Sequence, residues 1–316
     1  MIVITFLGTV SGIPSLTRNH PAIAIEYFSK RYEVMLWDCG EGTQKQLMRS
    51  GISFMDIDNI FITHWHADHF AGLIPLIQTM NLEKRRRKLR IFAPEAERFV
   101  SNILDMGYFG LRFPVEAINV PFDGEEITKI YETRDYEILS TPAWHSVPTV
   151  AYCLKEKDRW SIDEEKLKQL GLKRGRWLEV LKRKGEYVKN GKVVRLEDVA
   201  VKKPGLKVVY SGDTRPCKNI ERLAKDADVL IHDGTFLEEE EQDKAHANVK
   251  DAARIAKRAN VKLLVLTHIS RRYQDTKELE EQAKQIFTNV VVAKDLMKIK
   301  LKYGEPIKVE AVQEEP

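Results

Sequence analysis

Short runs of apolar and β-branched residues alternate with polar turns through the first half of the chain. Residues 2–7, 22–28, 33–37, 59–63 and 89–93 are each five to seven positions long. That is too short for a stable helix and is the composition of a half-buried or fully buried strand. Between them, residues 42–50 and 72–82 carry apolar positions at helical spacing. A second series follows the same plan. Strand-like runs fall at 136–141, 149–155, 207–211, 229–232, 262–267 and 289–293, with helical patterns at 218–227, 249–259 and 276–287. Two similar strand-rich halves with interleaved helices predict two sheets packed face to face and covered outside by helices. The chain shows no repeat of fixed period and no low-complexity segment.

Composition narrows the classes. With 316 residues, 43% of them hydrophobic and 9% aromatic, the chain can bury a large core, which excludes disordered and fibrous proteins. No apolar run approaches the roughly 20 residues of a membrane span. The start, Met1-Ile2-Val3-Ile4-Thr5-Phe6-Leu7-Gly8, lacks a basic region and a small-residue cleavage site and reads as a first strand. Cys39, Cys153 and Cys217 are scattered and odd in number, which argues against a disulfide framework or a thiolate metal site. They read as reduced thiols of a cytoplasmic protein.

Charge changes the picture only locally. The whole chain carries +4, but residues 155–207 hold 17 Lys and Arg against 9 Asp and Glu, a net of +8 that leaves −4 on the remainder. This stretch includes Arg159-Trp160, Lys173-Arg174-Gly175-Arg176-Trp177 and Lys182-Arg183-Lys184-Gly185. A solvated helical hairpin would account for it; so would an arm that grips phosphates.

Histidine placement carries the chemistry. Thr63-His64-Trp65-His66-Ala67-Asp68-His69 follows an apolar run directly. Residues i and i+2 of extended chain point the same way, so His64 and His66 can share one metal ion. Where the chain turns into the next helix, Asp68 and His69 can face a neighbouring position. Four ligand-type residues within six cannot close two sites, and the remainder are expected at other strand ends. His145, Asp213 and His268 each follow a strand-like run and precede a turn. Asp213, alone in its loop, is the carboxylate suited to bridging two cations.

This His-x-His-x-Asp-His pattern with downstream His, Asp and His resembles the metallo-β-lactamase superfamily. Finer motifs resemble the ribonuclease Z family, endonucleases that mature tRNA 3′ ends. They are Phe6-Leu7-Gly8-Thr9, Asp38-Cys39-Gly40-Glu41-Gly42-Thr43-Gln44, Thr79-Met80-Asn81-Leu82, Ser211-Gly212-Asp213-Thr214-Arg215-Pro216-Cys217 and Thr267-His268-Ile269-Ser270-Arg271-Arg272-Tyr273. The likeness runs from Met1 to about residue 301. It implies an α/β fold, a four-layer αβ/βα sandwich forming one catalytic domain over 1–316, with the basic stretch 155–207 protruding as a tRNA-gripping arm. It further implies two zinc ions, one held by His64, His66 and His145, the other by Asp68, His69 and His268, with Asp213 bridging. Ligand type alone suits manganese or iron as well. Pre-tRNA as substrate and a homodimer follow from the same likeness, with no membrane association.

Two cations suit phosphodiester hydrolysis by an activated water, and the resemblance implies a cut after the discriminator nucleotide that leaves a tRNA 3′-hydroxyl and a 5′-phosphate on the trailer. Asp68 is the expected general base. His246, in Ala245-His246-Ala247-Asn248, stands where the family carries the His of a His-Ser-Thr motif paired with an acid, and is the expected proton donor to the leaving oxygen. Its partner is Asp233, in His232-Asp233-Gly234-Thr235, where the family has His-Glu-Ala-Thr. His232 is expected to be structural rather than an eighth ligand, and His20 to lie in a surface loop. Arg271 and Arg272 follow ligand His268 directly and are expected to reach substrate phosphates, as are Lys173, Arg174, Arg176, Lys182, Arg183 and Lys184 of the arm. The arm lacks the family's Gly-Pro. The run Lys84 to Arg90 reads as a helix end and a solvated loop. Two other readings remain: a phosphodiesterase of the same superfamily acting on small or other RNA substrates, and an RNA-binding protein with a structural metal. A net of +8 in one stretch favours RNA over a small substrate, and an acid at Asp68 favours chemistry over a structural site.

Overall fold

A computed structural model describes residues 1–107, 110–189, 191–238 and 245–311. The chain divides into two compact units, Met1–Leu154 with Lys207–Pro316, and Lys155–Leu206.

The larger unit holds the two expected sheets. The first runs, in spatial order, Lys308–Glu310, Lys298–Leu301, Ile2–Gly8, Ala22–Phe28, Tyr32–Trp37, Ile57–Phe61, Leu89–Ala93 and Val115–Asn119. The second runs Val290–Val292, Leu263–Thr267, Val229–Asp233, Lys207–Tyr210, Val150–Glu156, Tyr136–Pro142 and Thr128–Glu132. Their inner faces meet through aromatic side chains. Tyr152 donates its hydroxyl to Ile62 O at 2.8 Å, and the rings of Trp37 and Tyr210 stack 6.0 Å apart. Each outer face carries its own apolar layer. Leu47, Leu76, Ile77, Met80, Val100 and Ile103 come from helices Thr43–Ser50, Leu73–Leu82 and Ala96–Asp105 and cover the first sheet. Ile220, Leu223, Val249, Ala252, Ile255 and Leu279 come from Lys218–Leu223, Val249–Arg258 and Lys277–Lys284 and cover the second. The result is a four-layer αβ/βα sandwich. Among the described residues no helix is long and apolar enough to cross a membrane.

Parallel pairing decides where the chemistry falls. Lys207–Tyr210, Val229–Asp233 and Leu263–Thr267 run parallel in register, so Asp213, Asp233 and His268 emerge at one edge of their sheet. In the first sheet, Tyr32–Trp37 and Ile57–Phe61 are also parallel and deliver Asp38 and the Thr63–His69 segment at their carboxyl ends.

The smaller unit corrects the helical-hairpin reading of the basic stretch. It contains two antiparallel ladders, Arg159–Ile162 with Ala200–Lys203 and Glu186–Lys189 with Lys192–Arg195, and three short helices, Glu164–Gln169, Trp177–Lys184 and Leu196–Val199. Leu167, Trp177, Leu181, Val194 and Val199 form its own core. Trp177 is buried and donates its indole N–H to Lys173 O at 3.0 Å. Gly185, at φ 81°, ends the helix Trp177–Lys184 in a left-handed conformation that a side chain would resist.

The run from Lys84 to Arg90 is not wholly solvated either. Arg85 is buried, donating to Asp58 Oδ1 at 2.6 Å and to the carbonyls of Met55, Arg87 and Lys88.

Candidate metal centre and proton-transfer site

The first motif leaves its strand in extended chain and then turns. Thr63 and His64 are fully buried, His66 stands at the N-terminal boundary of the short helix Ala67–Phe70, and Asp68 and His69 lie within it. Gly40 and Gly72 explain how this segment approaches the loop from Asp38 to Gly42. A Cβ on Gly40 would lie 2.1 Å from Asp68 O, and one on Gly72 would lie 2.1 Å from Gly40 O. Only bare backbone fits at both contacts.

His64, His66, His145 and Asp213 place ligand atoms within 4.8 Å of one another, as do Asp68, His69 and His268. His66 Nδ1 lies 3.0 Å from His64 Nε2 and 3.1 Å from His145 Nε2. Ligand nitrogens about 3.3 Å apart form the edge of a tetrahedron around zinc at 2.0–2.1 Å. Asp213 Oδ2 is 3.2 Å from His268 Nε2, 3.3 Å from His69 Nε2 and 3.7 Å from His64 Nε2, between the two groups. Asp68 Oδ2 takes the Gly12 N–H at 3.1 Å and faces His268 Nε2 at 3.5 Å and His69 Nε2 at 3.6 Å. The sequence-predicted ligands thus come together in two groups sharing one carboxylate.

The residues fit a cation. His69 Nε2, His268 Nε2 and Asp213 Oδ1 are buried and make no hydrogen bond, and orphan polar atoms in a folded core are costly unless a ligand meets them. The opposite nitrogens of four rings are already occupied. His69 Nδ1 lies 2.7 Å from Asp38 Oδ2, His64 Nδ1 3.0 Å from Thr63 Oγ1, His268 Nδ1 3.0 Å from Thr235 Oγ1 and His145 Nδ1 3.0 Å from Ala245 O. Each Nε2 is thereby left to face the cluster.

Electrostatics agree. Burial lowers the pKa of His64, His66 and His145, keeping these rings neutral and able to ligate. Burial works to raise Asp213 and Asp68, but neighbouring imidazoles override it and hold both carboxyls well below their usual range. For His69, burial pushes down while Asp213, Asp38 and Asp68 prevail and hold it well above.

Beside the cluster, His246 Nδ1 lies 2.8 Å from Asp233 Oδ2, and its ring stacks on His268 at 5.1 Å. Burial works to raise the Asp233 carboxyl; the charge of His246 overrides it and keeps Asp233 ionised. The shorter acid therefore still reaches the ring. Arg271 and Arg272 are exposed, and the Arg272 guanidinium lies 5.2 Å over Phe236, whose ring is 6.3 Å from His246. Lys173, Arg174, Arg176, Lys182, Arg183 and Lys184 are exposed on the smaller unit, with Arg174 paired to Glu164. His232 is fully buried, its Nδ1 2.8 Å from Asp233 O, and belongs to no metal-ligating group among the described residues. His20 is a correction. It is buried rather than superficial, its Nε2 3.1 Å from Gly12 O.

Sequence reasoning assigned no role to Asp38. It is fully buried and takes the Thr63 N–H at 2.7 Å, the Tyr210 hydroxyl at 2.8 Å and His69 Nδ1. The available signal was its position, an acid closing an apolar run like Asp213 and Asp233.

With this geometry in place, the chain can be set beside known proteins. The family model described as anti-Pycsar protein Apyc1 matches residues 2–147, and that of a beta-lactamase superfamily domain matches residues 193–269. Ribonuclease Z of Archaeoglobus fulgidus is 40% identical over 309 residues, covering 96% of this chain and 98% of its own. Ribonuclease Z of Thermococcus sibiricus is 41% identical over 305 residues, covering 95% and 97%. Among solved structures, human tRNase Z, short form, aligns with a TM-score of 0.64 at 26% identity, over 95% of this chain and 99% of that one. A metallo-beta-lactamase fold protein from Bacillus subtilis aligns at 0.66 with 19% identity, over 94% and 98%, a likeness of fold alone.

Proposed function

The chain belongs to the ribonuclease Z family, and on that premise we propose how its site cuts RNA. The protein is a hydrolase, a tRNA 3′-processing endoribonuclease. The observation that carries the mechanism is the convergence of seven ligand-type side chains on two positions with Asp213 between them.

In the proposed arrangement His64, His66 and His145 would hold one zinc ion and Asp68, His69 and His268 a second, with Asp213 placed between the two groups. Zinc suits a site so rich in imidazole. Bound there, the cations would supply positive charge to the scissile phosphate and lower the pKa of a water molecule. Asp68, its carboxylate steered by the Gly12 amide, accepts the proton of the attacking water. His246 gives a proton from Nε2 to the departing 3′-oxygen, and the ionised Asp233 accepts its Nδ1–H and so favours the doubly protonated ring that has a proton to give. Arg271 and Arg272 bind flanking phosphates. The exposed lysines and arginines of the smaller unit hold the tRNA backbone as an arm inserted in a single catalytic domain, and the cut falls after the discriminator nucleotide.

A homodimer is part of this reading, and one surface supports it. Helix Leu73–Leu82 is apolar on nearly every side, yet Pro75 and Leu82 are exposed. Met48 is exposed on the adjoining helix Thr43–Ser50, which Gln44 ties to Thr79 by a hydrogen bond. The reduced thiols of Cys39, Cys153 and Cys217, none in a disulfide, accord with a cytoplasmic setting.

The test of the proton donor uses two leaving groups. His246→Ala should cut pre-tRNA 10²–10⁴-fold more slowly, as loss of a general acid does. It should hydrolyse a nitrophenyl phosphodiester almost as fast as wild type, because nitrophenolate leaves without a proton. Equal losses on both substrates would remove His246 from that role.

A further inference from the structure

Asp233 and Asp38 are used in the same way, once in each sheet. Asp38 holds His69 directly and reaches His64 through the Thr63 hydroxyl, which lies 3.0 Å from both Asp38 oxygens and 3.0 Å from His64 Nδ1. Asp233 holds His246 directly through Oδ2 and reaches His268 through the Thr235 hydroxyl, 2.6 Å from Asp233 Oδ1 and 3.0 Å from His268 Nδ1. Nothing in the catalytic reading above uses Thr235, although it is fully buried where the metal cluster meets the proton donor.

A hydroxyl has a single hydrogen, and that fixes the tautomer of His268. Two acceptors compete for it, Asp233 Oδ1 at 2.6 Å and the His268 carbonyl at 2.9 Å. With either acceptor the hydrogen points away from His268 Nδ1. At 3.0 Å two lone pairs would face each other unless Nδ1 carries the proton, so Nδ1–H donates to Thr235 Oγ1. Nε2 is then the nitrogen turned to the cluster, where it is buried and makes no hydrogen bond. The shorter contact, to Asp233 Oδ1, takes the hydrogen. His268 has φ 59°, a left-handed conformation that a non-glycine residue keeps only where its surroundings impose it. The bond from the Ile269 N–H to Thr9 O holds the backbone there.

We propose that Thr235 is a positioning residue that presents His268 Nε2 to the second cation by borrowing one oxygen of the carboxylate whose other oxygen orients the proton donor His246. Asp233 thus serves cation binding through Oδ1 and proton transfer through Oδ2, and Thr235 separates the two duties. This rests on the ligand assignment made under the proposed function.

Thr235→Val keeps the shape and removes only the hydroxyl, so it frees His268 while leaving the Asp233–His246 bond in place. In a chelator-buffered zinc titration of the full-length protein, the weaker binding step should move to 10–100-fold higher free zinc, the range lost with comparable supporting contacts. Thr235→Ser should restore it. Cleavage lost at low zinc should return as zinc is added, whereas His246→Ala stays slow at every zinc concentration. Nitrogen-15 spectra of the zinc-loaded wild type provide a readout that needs no variant, and His268 should be ligated through Nε2 with its proton on Nδ1. Ligation of His268 through Nδ1, or wild-type zinc affinity in a folded Thr235→Val, overturns the proposal while the ligand assignment stands. A wild type that takes up no zinc overturns both.

Discussion

Replacing Asp38 by Asn changes one oxygen into an amino group, and the surrounding donors dictate the result. Oδ1 receives the Thr63 backbone N–H at 2.7 Å, which cannot turn away, so the amide must keep its oxygen there. The new NH2 then occupies the Oδ2 position, facing His69 Nδ1 at 2.7 Å and the Tyr210 hydroxyl at 2.8 Å. Two donors would meet at His69 unless its proton moves to Nε2, where it blocks the nitrogen offered to a cation. Hydrogen bonds to a charged acceptor contribute roughly 1.5–3 kcal/mol against about 0.5–1.5 for neutral ones. Weakening the bonds around a fully buried carboxylate should cost about 2–4 kcal/mol, or roughly 3–7 °C in Tm for a domain of this size. The tautomer change should weaken zinc binding at least 10–100-fold. Calorimetry of the zinc-free protein reads the first effect and competition with a chromophoric chelator the second. An Asn variant that melts several degrees lower yet binds zinc like wild type would refute the tautomer argument.

Three further outcomes are expected. Glu156 N–H donates to Leu206 O at 2.8 Å, so the ends of the smaller unit lie close enough to be joined by a short glycine turn replacing residues 157–205. That deletion should weaken pre-tRNA binding and flatten its salt dependence, each lost phosphate contact removing about 0.7–0.9 from the log–log slope, while nitrophenyl diester hydrolysis persists; an unchanged salt titration would contradict the arm's role. Met48→Glu with Leu82→Glu should convert dimers to monomers by light scattering, and a dimer unaffected by both charges would move the interface elsewhere. In the zinc-free protein, burial holds His64, His66, His145 and His232 below their ordinary 6.5. The unfolded chain binds protons below that value that these folded rings refuse, so stability falls on acidification through pH 6.5. His69, raised, contributes the opposite term, present below 6.5 and lost as pH climbs through its folded value. Tm should therefore drop between pH 7 and 5, and a rise over that interval would contradict the assignment.

The parts of the site that lie close together in sequence were legible. His64, His66, Asp68 and His69 declare themselves by strand spacing and the turn that follows. His145, Asp213 and His268 were recoverable because each ends an apolar run. What escaped was what the fold brings from a distance. Asp38 lies 31 positions from His69, and Thr235 lies 33 from His268; no local pattern marks either contact. Arg85 sits in a run that looks solvated because six of the seven residues from Lys84 to Arg90 are basic, and the approach of Asp58 and three carbonyls makes its burial tolerable. The smaller unit misled for a related reason. Its strands are four residues each, too short for an alternating pattern to stand out against so many lysines and arginines.

The central claim is that this His and Asp cluster cuts pre-tRNA at one phosphodiester. The most direct measurement is cleavage of an end-labelled pre-tRNA bearing a 3′ trailer, with both new ends identified, for zinc-loaded wild type and Asp68→Ala. The account predicts one cut after the discriminator nucleotide, a 3′-hydroxyl on the tRNA and a 5′-phosphate on the trailer. It also predicts that activity is abolished by chelator and by Asp68→Ala, with tRNA binding by the variant nearly intact. An intact pre-tRNA alongside continued turnover of a small diester, or a trailer carrying a 5′-hydroxyl, would contradict it.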